Sequence, residues 1–213
     1  GLILAAVILA WLAGRLVAGR DRRRVHRCLE AMAEAGRPLE TDERTGFARL
    51  RGRERERDVI LTALPAGLAP VLAGERVYGN RAAAIVAEAP LPGDLPAELK
   101  VVPRGKGSSL DARAGLQPLE TGDAAFDGRF EVLSDQPDRA RSWLDQHLRD
   151  TLKTVRGRTV WIEVTRVRPL DGGRSAPATP AVRCYLRGIP ADCDAYPGVM
   201  DVAARLAASI VGS

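Results

Sequence analysis

Residues 1–14, GLILAAVILAWLAG, carry no charged and no strongly polar side chain, and after Arg15 the apolar run continues to Gly19. A chain with such a stretch must put it in lipid, in a core, or against other apolar helices. At about 1.5 Å per residue, nineteen helical residues span roughly 28 Å, the thickness of a bilayer's hydrocarbon core. The run therefore predicts one transmembrane helix, with Arg15 close enough to its end to snorkel to the headgroups. Two other readings compete. A secretory signal peptide puts its basic residues before the apolar run and a small-residue cleavage site after it; here the arginines follow. A helix buried in a protein core usually shows a polar stripe, which this stretch lacks.

The basic residues set a direction. Arg15, Arg20, Arg22, Arg23, Arg24 and Arg27 are opposed only by Asp21, and such an excess marks the cytoplasmic side. The expected location is the bacterial inner membrane, N-terminus outside and soluble domain cytoplasmic. Trp11 and these six arginines are the expected lipid contacts. The chain has 32 basic and 27 acidic residues, and residues 1–27 hold six and one of them, so residues 28–213 hold 26 of each and are neutral. A neutral body in a chain with only nine aromatics excludes an ordinary nucleic-acid binder, which needs a broad basic face and stacking rings. Cys28, Cys184 and Cys193 have no C-x-x-C spacing and only His26 and His147 to join them, so no zinc site is expected. On the cytoplasmic side the expected state is three reduced thiols.

The fold class read from the pattern is α+β: an N-terminal transmembrane helix, then a single mixed, mainly antiparallel sheet domain with two packed helices. Residues 1–36 form the helix and its basic extension, 37–46 a linker, and 47–213 the soluble domain. Val25, Cys28, Leu29 and Met32 keep a helical spacing before Gly36 and Pro38 stop it. Arg49, Arg51, Arg53, Arg55 and Arg57 alternate with other residues ahead of the apolar run 59–64, which predicts a hairpin turning between Gly52 and Glu56. Strands are expected at 82–88, 98–102, 129–133, 158–167 and 182–187. One helix from Ser134 or Asp135 to Val155 would bury Ala140, Trp143, Leu144, Leu148 and Leu152. A C-terminal helix starts at Asp194. The segment 103–109, PRGKGSS, lacks the glycine spacing of a phosphate loop and reads as a loop.

The segment Thr121-Gly122-Asp123, then Phe126-Asp127 and Phe130, resembles a TGD-x-x-FD-x-x-F segment of uncharacterised bacterial membrane-anchored proteins. The resemblance covers residues 118–213 and implies no activity. On physical grounds Phe126 and Phe130 are core anchors, while Asp123 and Asp127 close turns at the strand's entrance.

No H-E-x-x-H, G-x-S-x-G, Walker A or G-x-G-x-x-G stands in a suitable context, so no catalytic, metal or cofactor residue is assigned. The expected function is a non-catalytic single-span accessory or assembly subunit of an inner-membrane complex, such as a photosynthetic or respiratory assembly. Its partners would be the bilayer and other integral membrane subunits, with no nucleic acid. One alternative is a tethered sensor that takes a small anion or lipid headgroup on Arg49, Arg51 and Arg53. Another is a hydrolase using Asp123 or Asp127.

Overall fold

Alternation of side chains along each strand sorts this protein's sheet into two faces that both end up buried. A computed structural model describes residues 19–33, 38–41, 48–64, 84–105, 115–154, 160–170, 176–190 and 193–213. The strands are β1 Leu39–Thr41, β2 Ala48–Glu54, β3 Arg57–Leu64, β4 Ala84–Pro90, β5 Leu99–Pro103, β6 Gln117–Leu119, β7 Phe130–Ser134, β8 Val160–Val167 and β9 Thr179–Arg187. They form one nine-stranded sheet in the order β1-β2-β3-β4-β9-β8-β5-β7-β6. Every neighbouring pair is antiparallel.

Register converts the alternation into rows. Leu39, Leu50, Leu61, Ala87, Cys184, Ile162, Val101, Val132 and Leu119 stand side by side across all nine strands. All nine belong to or pack on the main core, on the face that the helices cover. Both edge strands are three residues long, which leaves little unpaired backbone to template further pairing.

Among the described residues five helices accompany the sheet: α1 over residues 19–33, α2 Ala124–Asp127, α3 Pro137–Trp143, α4 Gln146–Thr154 and α5 Ala195–Val211. α5 lies over β9, β4 and β3 and buries Val199, Val202, Ala203, Leu206 and Ile210 at helical spacing. The single helix expected over 134–155 is two. Leu144 has ψ +64° and leaves the helical region, and the Asp145 carboxylate accepts from Leu148 N at 2.6 Å, starting α4 with a new N-cap. The break lets Trp143, Leu144, Leu148 and Leu152 all reach the core, each at most 1 % exposed.

The expected fold class is corrected on two counts. No helix among the described residues is long and apolar enough to cross a membrane, which overturns the transmembrane, single-pass description, and among the described residues the sheet carries five helices rather than two. Residues 1–18, including Trp11 and Arg15, lie outside the described residues. What is described of the basic extension is α1, an amphipathic helix that buries Val25, Cys28 and Leu29 in the domain core at 0–2 % exposure. Apolar positions spaced three and four apart make one stripe on a helix, and that stripe is docked on protein. Residues 37–46, read as a linker, contain β1.

The thiol expectation is also corrected. Cys28 and Cys193 form a disulfide across 165 residues, with their Cα atoms 5.2 Å apart. It ties α1 to the residues just ahead of α5. Cys184 is the free cysteine; burial pushes its thiol up to about 12, so it is an inert core residue.

The β2–β3 hairpin turns where the arginine pattern predicted, on Arg55 and Glu56, whose φ values are +50° and +63°. Positive φ at both central residues is what a two-residue hairpin demands, and it is costly for residues with a Cβ. Glu56 contributes its carbonyl to Arg53. Glu56→Gly is therefore expected to stabilise the protein by about 0.5–1 kcal/mol, since relief of left-handed strain exceeds glycine's extra entropy cost. Urea unfolding with an unchanged m-value and a higher midpoint would show it; a lower midpoint would refute it.

Candidate functional site

The sheet's second face holds a row of charges one residue out of step with the apolar row. Arg51, Ile60, Glu88, Arg183, Glu163, Lys100 and Leu133 are register neighbours on β2, β3, β4, β9, β8, β5 and β7. The four central residues alternate in sign, and Glu88, Arg183, Glu163 and Lys100 are only 1, 0, 2 and 7 % exposed. Charges this deep persist only when paired and hydrogen-bonded. Arg183 donates from Nε to Glu88 Oε2 at 2.6 Å, with Nη2 2.5 Å from the same oxygen, and also donates to the Arg168 carbonyl. The other Glu88 oxygen accepts from Leu170 N at 3.0 Å. Glu163 accepts from Tyr185 Oη and from Trp161 Nε1, both at 3.2 Å, and those two rings pack with centroids 4.9 Å apart.

Residues 168–170 bring the chain after β8 onto this face. There Leu170 joins a second apolar cluster with Ile60, Leu64, Val86 and Tyr185, and its carbonyl accepts from Arg49 Nη2 at 2.9 Å. Burial is the largest influence on Arg183 and opposes its charge, but Glu88 and Tyr185 together outweigh it, so the net shift of the Arg183 pKa is upward. Burial, reinforced by the Glu163 carboxylate, pushes the Tyr185 hydroxyl well above its ordinary range, so it stays protonated and donating. The four central charges sum to zero. The row fixes the register of four strands, because a one-residue slip would bring each charge onto the apolar row. Strands β8 and β9 read from their alternation as half-buried, but their polar face is closed as well. Finding this row needed the register: opposite charges at alternate positions of separate strands carry no signal until the strands are paired.

A second polar cluster builds the Thr121–Asp127 loop. Asp123 caps α2 by accepting from Ala125 N and Phe126 N at 3.1 Å and receives Lys153 Nζ at 2.8 Å. Asp127 accepts from the Thr121 hydroxyl at 2.8 Å and from Gly122 N at 3.1 Å, and Gly122 takes the φ of +82° that the turn requires. Phe126 and Phe130 are core anchors, 0 and 7 % exposed. The two aspartates close turns, as their sequence context predicted. The Lys153 ammonium, then the Phe126 N–H, hold the Asp123 carboxyl down at about 2 from an ordinary 3.8. A carboxyl so ionised at neutral pH is poorly matched to proton transfer.

Asp123 binds fewer protons folded than unfolded near pH 3, so its contribution to stability is complete above about pH 4 and lost as the pH falls towards 2. The gap in Tm between the native chain and Asp123→Asn should therefore close over that interval. A gap that is constant from pH 6 to pH 2 would refute the assignment.

The other sequence candidates are dispersed. Arg20, Arg22, Arg23 and Arg27 are exposed and Arg24 half-buried on α1. Arg49 reaches the Leu170 carbonyl, Arg51 the Glu40 carboxylate at 3.4 Å, and Arg53 the Glu56 carbonyl at 3.5 Å; the three do not share a ligand point. His147 is exposed on α4, and His26 pairs with Glu30 at 3.2 Å on α1. Lys106 to Ser109 of the expected loop lie outside the described residues. Among the described residues no group of three or more His, Cys, Asp or Glu side chains is placed to hold a metal ion.

No family model and no curated protein matches this chain in sequence. Its architecture does have a counterpart. The fold is similar to that of the mycobacterial trehalose monomycolate transport factor A, TtfA. The superposition covers 89 % of this chain and 94 % of that one at a TM-score of 0.52, with 10 % sequence identity. At that identity the likeness is one of fold.

Proposed function

We propose that the protein is a non-catalytic accessory factor of a bacterial inner-membrane transport or assembly complex, its domain bridging neighbouring subunits. The observation that carries this reading is the fold shared, over nearly the whole of both chains, with a protein described as a transport factor. Two features of the site support it. The buried charges of the sheet are closed among themselves, with both Glu88 oxygens and the Arg183 fork engaged by protein groups. The aspartates that would serve a hydrolase are engaged as loop closers.

The test is gentle-detergent extraction of native membranes, size separation, and identification of what travels with the chain. Stable co-migration with transport or assembly subunits is expected; migration at its own mass would remove the reading. Asp123→Asn and Asp127→Asn are expected to leave the assembled complex active, and loss of turnover with intact assembly would favour an enzyme.

A further inference from the structure

Helix α1 carries Arg20, Arg22, Arg23, Arg24 and Arg27 against Asp21 and Glu30, a formal +3. Residues 1–27 hold a formal +5, the whole of the chain's net charge. On α1 those charges are sorted by the helical repeat. Arg20, Arg23, Arg24 and Arg27 fall at i, i+3, i+4 and i+7, within one face of about 100° at 100° per residue. Val25, Cys28, Leu29 and Met32 fall on the other side, where Val25, Cys28 and Leu29 are buried and Met32 packs partly buried on the core. Arg20, Arg23 and Arg27 are exposed. The helix is thus glued to the body by its apolar side, clamped there by the Cys28–Cys193 disulfide, and turns Arg20, Arg23 and Arg27 outward with the half-buried Arg24 at the edge of the stripe.

We infer that this stripe is a docking surface for an anionic lipid bilayer. Guanidinium groups recognise phosphate oxygens by forked, charge-assisted hydrogen bonds, and a cluster of arginines beside an apolar segment is the usual arrangement for attraction to acidic headgroups. Residues 28–213 are formally neutral, so the excess that favours a polyanion lies in residues 1–27, and the apolar residues 1–14 adjoin the stripe in sequence. A basic patch and an apolar segment together supply the two signals that stable surface attachment needs. Because α1 is locked to the core, the body is held in one orientation relative to the lipid, and not on a free tether. The inference does not require a partner complex.

The test uses the full chain and two vesicle compositions, phosphatidylcholine alone and phosphatidylcholine with about 30 % phosphatidylglycerol, in a sedimentation assay. Binding is expected to favour the anionic vesicles and to weaken as salt rises from 0.05 to 0.5 M. At about 1 kcal/mol per arginine near such a surface, or roughly fivefold each, the combined Arg20→Gln, Arg23→Gln, Arg24→Gln and Arg27→Gln variant should lose binding on the order of several hundredfold. Arg141→Gln with Arg187→Gln, which removes as exposed a pair elsewhere on the domain, should bind as the native chain does. Equal binding to neutral and anionic vesicles, an unaltered quadruple variant with the native Tm, or no vesicle binding at all would each overturn the inference. Because the assay contains no partner subunits, a failure here is separable from a failure of the accessory-factor reading, which co-migration alone decides.

Discussion

Replacing Arg183 by methionine is expected to lower the unfolding free energy by about 3–5 kcal/mol, because it strands a buried carboxylate rather than merely deleting a bond. Glu88 is 1 % exposed and holds Arg183 on one oxygen and Leu170 N on the other. With the guanidinium gone, Lys100 is the one cation left among the four central positions, beside Glu88 and Glu163. For a chain of this size the loss corresponds to a fall in Tm of roughly 6–20 °C. The paired variant Glu88→Met with Arg183→Met leaves the neutral pair Glu163 and Lys100 and should cost less than the sum of the two single variants, because no unpaired charge is left and what Leu170 N and the Arg168 carbonyl lose is one partner each, at about 1–3 kcal/mol. The double-mutant cycle is the measurement. A single variant within 1 kcal/mol of native, or a double variant that costs the sum of the two single ones, would show that the row does not act as a coupled unit.

Removing the Cys28–Cys193 disulfide is the second large effect. Closing a 165-residue loop constrains the unfolded chain by about 5 kcal/mol in the chain-entropy picture, and measured losses for native disulfides run at about 2–5 kcal/mol. Cys28→Ser with Cys193→Ser, or dithiothreitol on the native chain, should lower Tm by roughly 5–15 °C at this chain length. Reductant should have no further effect on the double variant. The loss should be felt first at α1, whose purchase on the body is the burial of Val25, Cys28 and Leu29. A Tm indifferent to reductant would refute a stabilising disulfide. The same bond reports on location: a pair found oxidised in cells quenched and alkylated before lysis puts the domain in an oxidising compartment, opposite the placement that the arginine cluster predicts, and a reduced pair restores that placement.

Most of the elements were legible in the sequence. Short apolar runs located β3 and β7, alternation located β8 and β9, the arginine run located the β2–β3 turn, and helical spacing located the buried side of α5, because each of these signals is local. The sequence also determined that Phe126, Phe130, Asp123 and Asp127 are an anchor-and-cap unit, since caps and their targets lie within a few residues. The rest depended on long-range packing. An apolar stripe on α1 reads the same whether it faces lipid or protein, and packing against the core chose protein. Cys28 and Cys193 lie 165 residues apart, so no local pattern marks them as partners. Glu88, Arg183, Glu163 and Lys100 each look like an ordinary solvent-facing position on its own strand. Register sets them side by side, and closure of the second face makes them a buried, mutually neutralised row, because what a charge costs depends on which charge stands opposite it.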